Sequence, residues 1–321
     1  MKRFLGLVSL LLMINACDDG NMTVETIDFD AITAVKCDTK DVIYKIKDNE
    51  ILFLELPITD FVNDETVVDT PIEIPISATK RVVYRLYSGE ASANNICPTV
   101  PIAMPNVLEE WVTTSGTIQI TTTAIKTTDA VTGATEITSY KHYIVLKDVT
   151  FQKPSGPQTQ QTFVFGNYNT TATSLPFGFN VEMAGKSTCD DRVFNFSGGE
   201  AMILDVDNFA VLFENVTTIT GEPRKATISA TKKVSYKLYS GTVNNAYFCA
   251  TPTPTTPSLL EEWNAVDGVE LVDGIIEVTT TENGPNTFRH TIHLKKVTLK
   301  RGNSDFYLGD DFIFGSFDTT L

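Results

Sequence analysis

The sequence predicts an all-β protein: two tandem homologous β-sandwich domains, each with one short helix and one intradomain disulfide. Three observations carry this expectation. Long segments recur at a fixed spacing, the recurring segments alternate with the period of a strand, and the cysteines repeat at one separation.

The duplication is direct. TKRVVYRLYSG at 79–89 returns as TKKVSYKLYSG at 231–241, a shift of 152 residues (231 − 79). LEEW at 108–111 returns at 260–263 with the same shift. FVFG at 163–166 is echoed by FIFG at 312–315, and Asn169-Thr170-Thr171 by Asp318-Thr319-Thr320. These units are far longer than solenoid repeats, so they are tandem globular domains, placed at 22–171 and 172–321.

The elements follow in order. Segments 42–46, 51–56, 117–123, 140–151 and 162–165 are rich in Val, Ile, Thr, Tyr and Phe and are bounded by Gly, Pro, Asn and Asp, as strands are. In 82–87, Val82, Tyr84 and Leu86 alternate with Val83, Arg85 and Tyr87, which places the first set inward and the second outward. Val234, Tyr236 and Leu238 repeat the pattern. Along 140–151 the apolar phase slips between Leu146 and Val149, and in the second copy between Leu294 and Val297, so a β-bulge is expected at both. Thr132-Gly133 and Asn283-Gly284-Pro285 are hairpin turns. Many short strands without a long helical period indicate a sandwich, with a closed barrel as the alternative.

The repeated Glu-Glu-Trp offers carboxylates beside an aromatic ring, a pattern that could serve glycan binding or hydrolysis. Its flanks read differently. Asn106 and Ser258 stand three residues before Glu109 and Glu261, the spacing of a helix capping box. Glu110 and Glu262 suit the positive helix end. The expectation is a short capped helix with Trp111 and Trp263 anchored in the core.

Composition removes whole classes. With 42 % hydrophobic residues the chain is not a disordered one. Lys+Arg 25 against Asp+Glu 40 gives a net charge of −15, opposite to what phosphate binding needs, so no nucleic-acid partner is expected.

The chain opens with Lys2 and Arg3, then an apolar run from Phe4 to Met13, then Ile14-Asn15-Ala16-Cys17. The run has signal-peptide length and is too short to span a bilayer. These seventeen residues resemble the lipobox of bacterial lipoproteins, with Asn15 departing from the usual residue at its place. The resemblance implies a signal peptide at 1–16, lipidation of Cys17, and a lipid-anchored tether at 17–21. Several acyl chains on one residue make such anchoring stable. Asp18 and Asp19 resemble the acidic residues that follow the lipidated Cys in Bacteroidota lipoproteins. That implies the cell envelope, at the outer membrane, on its periplasmic or its surface face. Loss of Lys2 and Arg3 takes the charge from −15 to −17 (−15 − 2). Membrane attachment then rests on acyl chains, not on electrostatics.

With Cys17 assigned to lipid, four cysteines remain, and four allow three pairings. Each copy separates its pair by 60 residues (97 − 37; 249 − 189). If each copy folds as a unit, the bridges are Cys37–Cys97 and Cys189–Cys249. Each contributes about 4 kcal/mol in the chain-entropy model. A four-Cys metal site is the weaker reading, since no C-x-x-C spacing exists.

Remaining candidates read as structural. His142 shares strand parity with Ile144 and Leu146, and His290 with Ile292 and Leu294, as half-buried core histidines would. His293 points to the opposite face from His290, so the two do not converge on a metal. Asp205-Val206-Asp207-Asn208 lacks the following Gly and Glu of a calcium loop. Nucleophile elbow, zinc helix, P-loop and dinucleotide fingerprint are missing from the sequence, so no catalytic residue and no cofactor or metal is expected. The function expected is binding or structural, with a glycan, peptide or envelope protein as partner. The alternatives are a hydrolase using Asp205, Asp207, Asp310 and Asp311, or an architectural spacer.

The anchor reading has a direct check. Mass spectrometry of the membrane fraction is expected to show a chain that begins at an acylated Cys17. Recovery of unmodified Cys17, or of residues before it, overturns it.

Overall fold

The computed structural model describes residues 26–321. The leader, Cys17, Asp18 and Asp19 therefore lie outside the described residues. The chain is all-β. Its strands are β1 Val35–Lys36, β2 Val42–Lys47, β3 Glu50–Glu55, β4 Ile72–Pro75, β5 Arg81–Tyr87, β6 Val107–Thr128, β7 Thr135–Lys153 and β8 Gly156–Thr171 in the first repeat. In the second they are β9 Gly185–Lys186, β10 Val193–Ser197, β11 Glu200–Val206, β12 Arg224–Thr227, β13 Lys232–Tyr239, β14 Leu259–Ala265, β15 Ile275–Glu282, β16 Thr287–Lys295, β17 Thr298–Arg301, β18 Ser304–Tyr307 and β19 Phe312–Thr320.

Every strand pairing is antiparallel. In the first repeat β6, β7 and β8 are long enough to serve both layers of the sandwich. The near half of β6 pairs with β5 and its far half with β4, so one sheet in the order β1-β2-β3-β5-β6-β7-β8 folds over itself. In the second repeat each long strand is broken in two. The sheet separates into β18-β17-β14-β13-β11-β10-β9 facing β12-β15-β16-β19.

The main cores lie between these layers. In the first, Ile43, Leu52, Leu54, Val82, Tyr84 and Trp111 pack with Ile118, Ile120, Ile144, Leu146 and Phe165. In the second, Val193, Met202, Leu204, Val234, Tyr236 and Trp263 pack with Ile276, Val278, Ile292, Leu294 and Phe314.

The expected bulges are present. Leu146 and Val149 are both buried because Asp148 takes a left-handed φ of 49° between them, and Lys296 does the same at 51° between Leu294 and Val297. A second duplicated bulge explains the FVFG and FIFG motifs. The register slips at Ile144/Val145 and at Ile292/His293, leaving Phe165 and Phe314 as the extra residues, fully buried. The glycine beside each admits a polar side chain from the facing sheet: Lys45 Nζ against Gly166 and Asn195 Nδ2 against Gly315.

Two expectations need correction. Glu-Glu-Trp is not on a helix. It opens β6 and β14, where Glu109, Trp111 and Thr113 share the covered face and Glu110 pairs across the strand with Arg85 at 2.6 Å. Glu262 pairs likewise with Lys237 at 3.0 Å. Cross-strand ion pairing and burial of the ring on one face outweigh a cap at this spacing. The helical turns sit elsewhere: Ile58–Asp60 and Ala93–Asn95 in the first repeat, Phe209–Leu212 and Asn245–Cys249 in the second.

The outward face of the 82–87 strand is also not solvated as expected. Val83 and Tyr87 bury with Ile51, Phe53 and Cys37 in a small outer core, closed by the Cys37–Cys97 disulfide. Phe194, Ile203 and Tyr239 form its counterpart beside Cys189–Cys249. Each bridge thus pins the segment that covers an outer core, a contact that a two-face alternation rule cannot see. Among the described residues no helix is long and apolar enough to cross a membrane.

A clasp of hydrogen bonds ties the repeats together. Residues 63–65 of the first repeat reach the β17–β18 turn of the second. The Asp64 carboxylate accepts from Asn303 N at 3.0 Å and from Ser304 N and Ser304 Oγ at 2.8 Å each. Glu65 N donates to Ser304 Oγ at 2.9 Å, and Asn303 Nδ2 to Glu65 O at 2.9 Å. Gly302, at φ 57°, lies so close that a Cβ there would overlap the Asp64 carboxylate. Gly302→Ala is expected to destabilise the protein by about 2 kcal/mol, combining strain with lost hydrogen bonds. Much of that loss should vanish in an Asp64→Ala background. Denaturant melts of the four proteins measure the coupling; strict additivity sinks the account.

Candidate functional site

The clasp holds open a cavity of about 520 Å³ between the repeats. Three pieces of chain wall it. The far ends of β6 and β7 project past their own sandwich, so that Ile137 and Tyr140 bury in the core of the second repeat. The connector between repeats supplies Leu175 and Phe177, and the second repeat supplies Trp263, Phe306 and Phe312. Such a size, with aromatic walls beside Thr, Asn, Asp, Glu and Arg side chains, suits a small organic ligand.

The connector wall is fixed from behind. Phe177 sits at a left-handed φ of 47°, a strained position for an aromatic residue. Buried Glu200 holds it there, accepting from Phe177 N at 2.7 Å, Gly178 N at 3.0 Å and Tyr236 Oη at 2.6 Å. The Phe177 ring stacks on Tyr236 at 4.4 Å and meets Phe306 edge-on at 5.8 Å. Burial first, and the bond to Glu200 second, push the Tyr236 hydroxyl pKa well up, so it remains a donor.

Among the polar residues lining the cavity, Arg301 is the cation. Its Nη1 donates to Glu261, which is buried, and its Nη2 to Asn63 O at 2.7 Å and, weakly, to the Tyr140 hydroxyl at 3.5 Å. The guanidinium lies over the Trp263 ring at 4.7 Å. The first repeat builds the same corner differently. There Lys153 stands over Trp111 at 4.0 Å, and Glu109 accepts the indole N–H at 3.0 Å. In the second repeat the matching Glu261 has turned to Arg301, and Trp263 Nε1 is buried with no hydrogen-bond partner among the described residues. A buried unpaired donor costs about 1–3 kcal/mol. That cost is incurred where the arginine meets the cavity.

Neither Trp offers a sugar-stacking platform, since both are 3 % exposed. The acidic residues do not gather. Asp207 pairs with Lys232 at 3.1 Å, Asp310 accepts from Tyr307 Oη at 2.7 Å, and Asp311 pairs with Lys295 and His293. Among the described residues no three His, Cys, Asp or Glu side chains are grouped to hold a metal ion.

The core histidines are fully buried, more than the half-burial expected, and sit in a duplicated polar chain. Thr170 Oγ1 donates to Asn63 Oδ1 and so accepts from His142 Nε2 at 2.8 Å; Nδ1 then accepts from Thr122 Oγ1 at 2.9 Å. Thr319, Asn215, His290 and Thr280 repeat the chain. Sequence reading missed Asp64, Phe177 and Arg301. The available signal was divergence between copies: Val216 stands at the place of Asp64, and Lys153 at that of Arg301.

Compared with protein-family models, with curated proteins and with solved structures, the chain matches none of them.

Burial lowers the pKa of His142 and His290 to about 4. A base held neutral contributes stability that is complete above its unfolded pKa of about 6.5 and is lost as pH falls through its folded value. Stability is therefore expected to drop between pH 6.5 and pH 4, by on the order of 3 kcal/mol per histidine at the lower end. His142→Gln should flatten part of this dependence. Urea melts across that window measure it, and equal slopes in both proteins would contradict the assignment.

Proposed function

We propose that the protein is a lipid-anchored cell-envelope binding protein, held at the outer membrane through Cys17, whose ligand site is the cavity between the repeats. The observation that carries this is the cavity of about 520 Å³, with aromatic walls fixed from behind by Glu200 and by the Asp64 clasp. An architectural spacer has no need of a strained Phe177 or an unpaired Trp263. The hydrolase alternative is not favoured, because three of its four carboxylates, Asp207, Asp310 and Asp311, are engaged with separate partners.

The test uses the mature chain carrying Cys17→Ser, so that no detergent competes for the site. The neutral probe N-phenyl-1-naphthylamine is expected to bind at one site, seen as enhanced and blue-shifted emission. Thr173→Trp fills the cavity from an exposed lining position and should weaken binding about tenfold or more, since it removes the space the ring occupies. Equal binding by the two proteins, or none by either, overturns the proposal.

A further inference from the structure

The geometry points to the ligand class: a neutral molecule with a flat, apolar body and one carbonyl oxygen, which accepts hydrogen bonds from Arg301. The inference rests on the cavity being the binding site.

Four observations lead there. Phe177, Phe306, Phe312 and Trp263 line the cavity from different directions, so the part of the ligand that meets them is apolar and accommodates rings. Arg301 has donors to spare. Of its five N–H groups, Nη1 serves Glu261 and Nη2 serves Asn63 O and Tyr140; among the described residues Nε takes no partner. The Arg301 side chain is 30 % exposed while Glu261 is 8 % exposed, so the arginine and not its counter-ion is within reach. The Tyr140 hydroxyl accepts from Arg301 and has no acceptor for its own proton among the described residues. Unused donors at Arg301 and Tyr140 select a ligand oxygen that accepts.

Charge selects against an anion. Glu261 already neutralises Arg301, Asp129 and Glu136 line the same cavity, and the chain carries −15 overall. A carboxylate or phosphate would bring a charge for which the described lining offers no unpaired cation, at a desolvation cost that a carbonyl avoids.

The divergence between copies fits this reading. Only in the second repeat does the glutamate leave the indole to hold a guanidinium, and only there does that corner face the cavity. Arg301 is a binding residue on this account, and Glu261 positions it.

The experiment compares two probe pairs on the mature Cys17→Ser chain. 6-Propionyl-2-dimethylaminonaphthalene carries the ketone, and 2-dimethylaminonaphthalene is the same body without it. The ketone is expected to bind about fivefold or more tighter, the worth of one charge-assisted hydrogen bond after desolvation. Its C=O stretch should fall below its value in cyclohexane. Arg301→Lys keeps the charge opposite Glu261 but shortens the fork. It should abolish the ketone advantage and leave the ketone-free probe within about twofold, which also shows that the cavity is intact. N-phenyl-1-naphthylamine should bind more tightly than 8-anilino-1-naphthalenesulfonate, the same body with an added sulfonate. If the neutral probes bind and are lost in Thr173→Trp, yet the ketone has no advantage or the sulfonate binds tighter, the ligand class is wrong and the cavity stands. If no probe enters, the site itself is wrong. Should Arg301→Lys lose all probes, the wild-type carbonyl band decides: a shifted band supports the inference and an unshifted one overturns it.

Discussion

Asp64 accepts three hydrogen bonds from a turn that belongs to the other repeat. A carboxylate engaged in this way fixes orientation as well as distance, because its acceptors must meet two consecutive backbone N–H groups and a hydroxyl. Once the 302–304 turn is held, Arg301 next to it is delivered to Asn63 O, and β18 is aligned so that Tyr307 N reaches Thr135 Oγ1 at 2.7 Å. The end of the first repeat's β6–β7 hairpin then lies against the second repeat's core. The cavity is what remains between these fixed edges. Replacing Asp64 by the valine that occupies its matched place in the other copy would remove all the hydrogen bonds that its carboxylate makes to the 302–304 turn.

Duplication makes it possible to separate what the fold needs from what the seam needs. The Asn–Thr–His–Thr chain occurs in both copies with the same donors and acceptors, so it belongs to the sandwich. The polar plug under each glycine bulge is kept in role but not in residue, since Lys45 donates to Phe29 O and Asn195 to Asn180 O and Phe314 O. The tryptophan corner is kept in residue but not in role. Glu109 serves its indole and Glu261 serves an arginine. A change that leaves a buried donor unpaired in one copy, while the other copy shows the satisfied solution within reach, is hard to ascribe to packing alone.

Much of the fold was legible because it rests on local rules. Period-two alternation located the strands, and the slip between Leu146 and Val149 located a bulge before any coordinates. Equal cysteine spacing named the bridges. The Glu-Glu-Trp segment misled because three-residue capping spacing and two-residue strand alternation both fit Asn106 to Trp111. Only the partner strand, which puts Arg85 opposite Glu110, decides between them. The outer cores were hidden for a related reason: strand periodicity reports which residues share a face, not whether a disulfide-pinned loop covers it. The cavity was beyond sequence altogether. Asn63 and Arg301 are far apart in the chain, and neither is unusual in composition or context.

The walls of the cavity are set before any ligand arrives. Phe177 adopts a backbone conformation that aromatic residues avoid, and Glu200, buried with Tyr236, compensates for that strain through two amide hydrogen bonds. Strain maintained by a dedicated buried carboxylate signals that the side chain's position matters more than the local energy. A ligand entering such a site loses little to reorganising the protein, so its affinity is governed by what it buries and by the polar partners it finds. That places the selectivity on Arg301. The aromatic walls accept many apolar bodies, whereas a guanidinium already neutralised by Glu261 rewards an accepting oxygen and gives an anion nothing further.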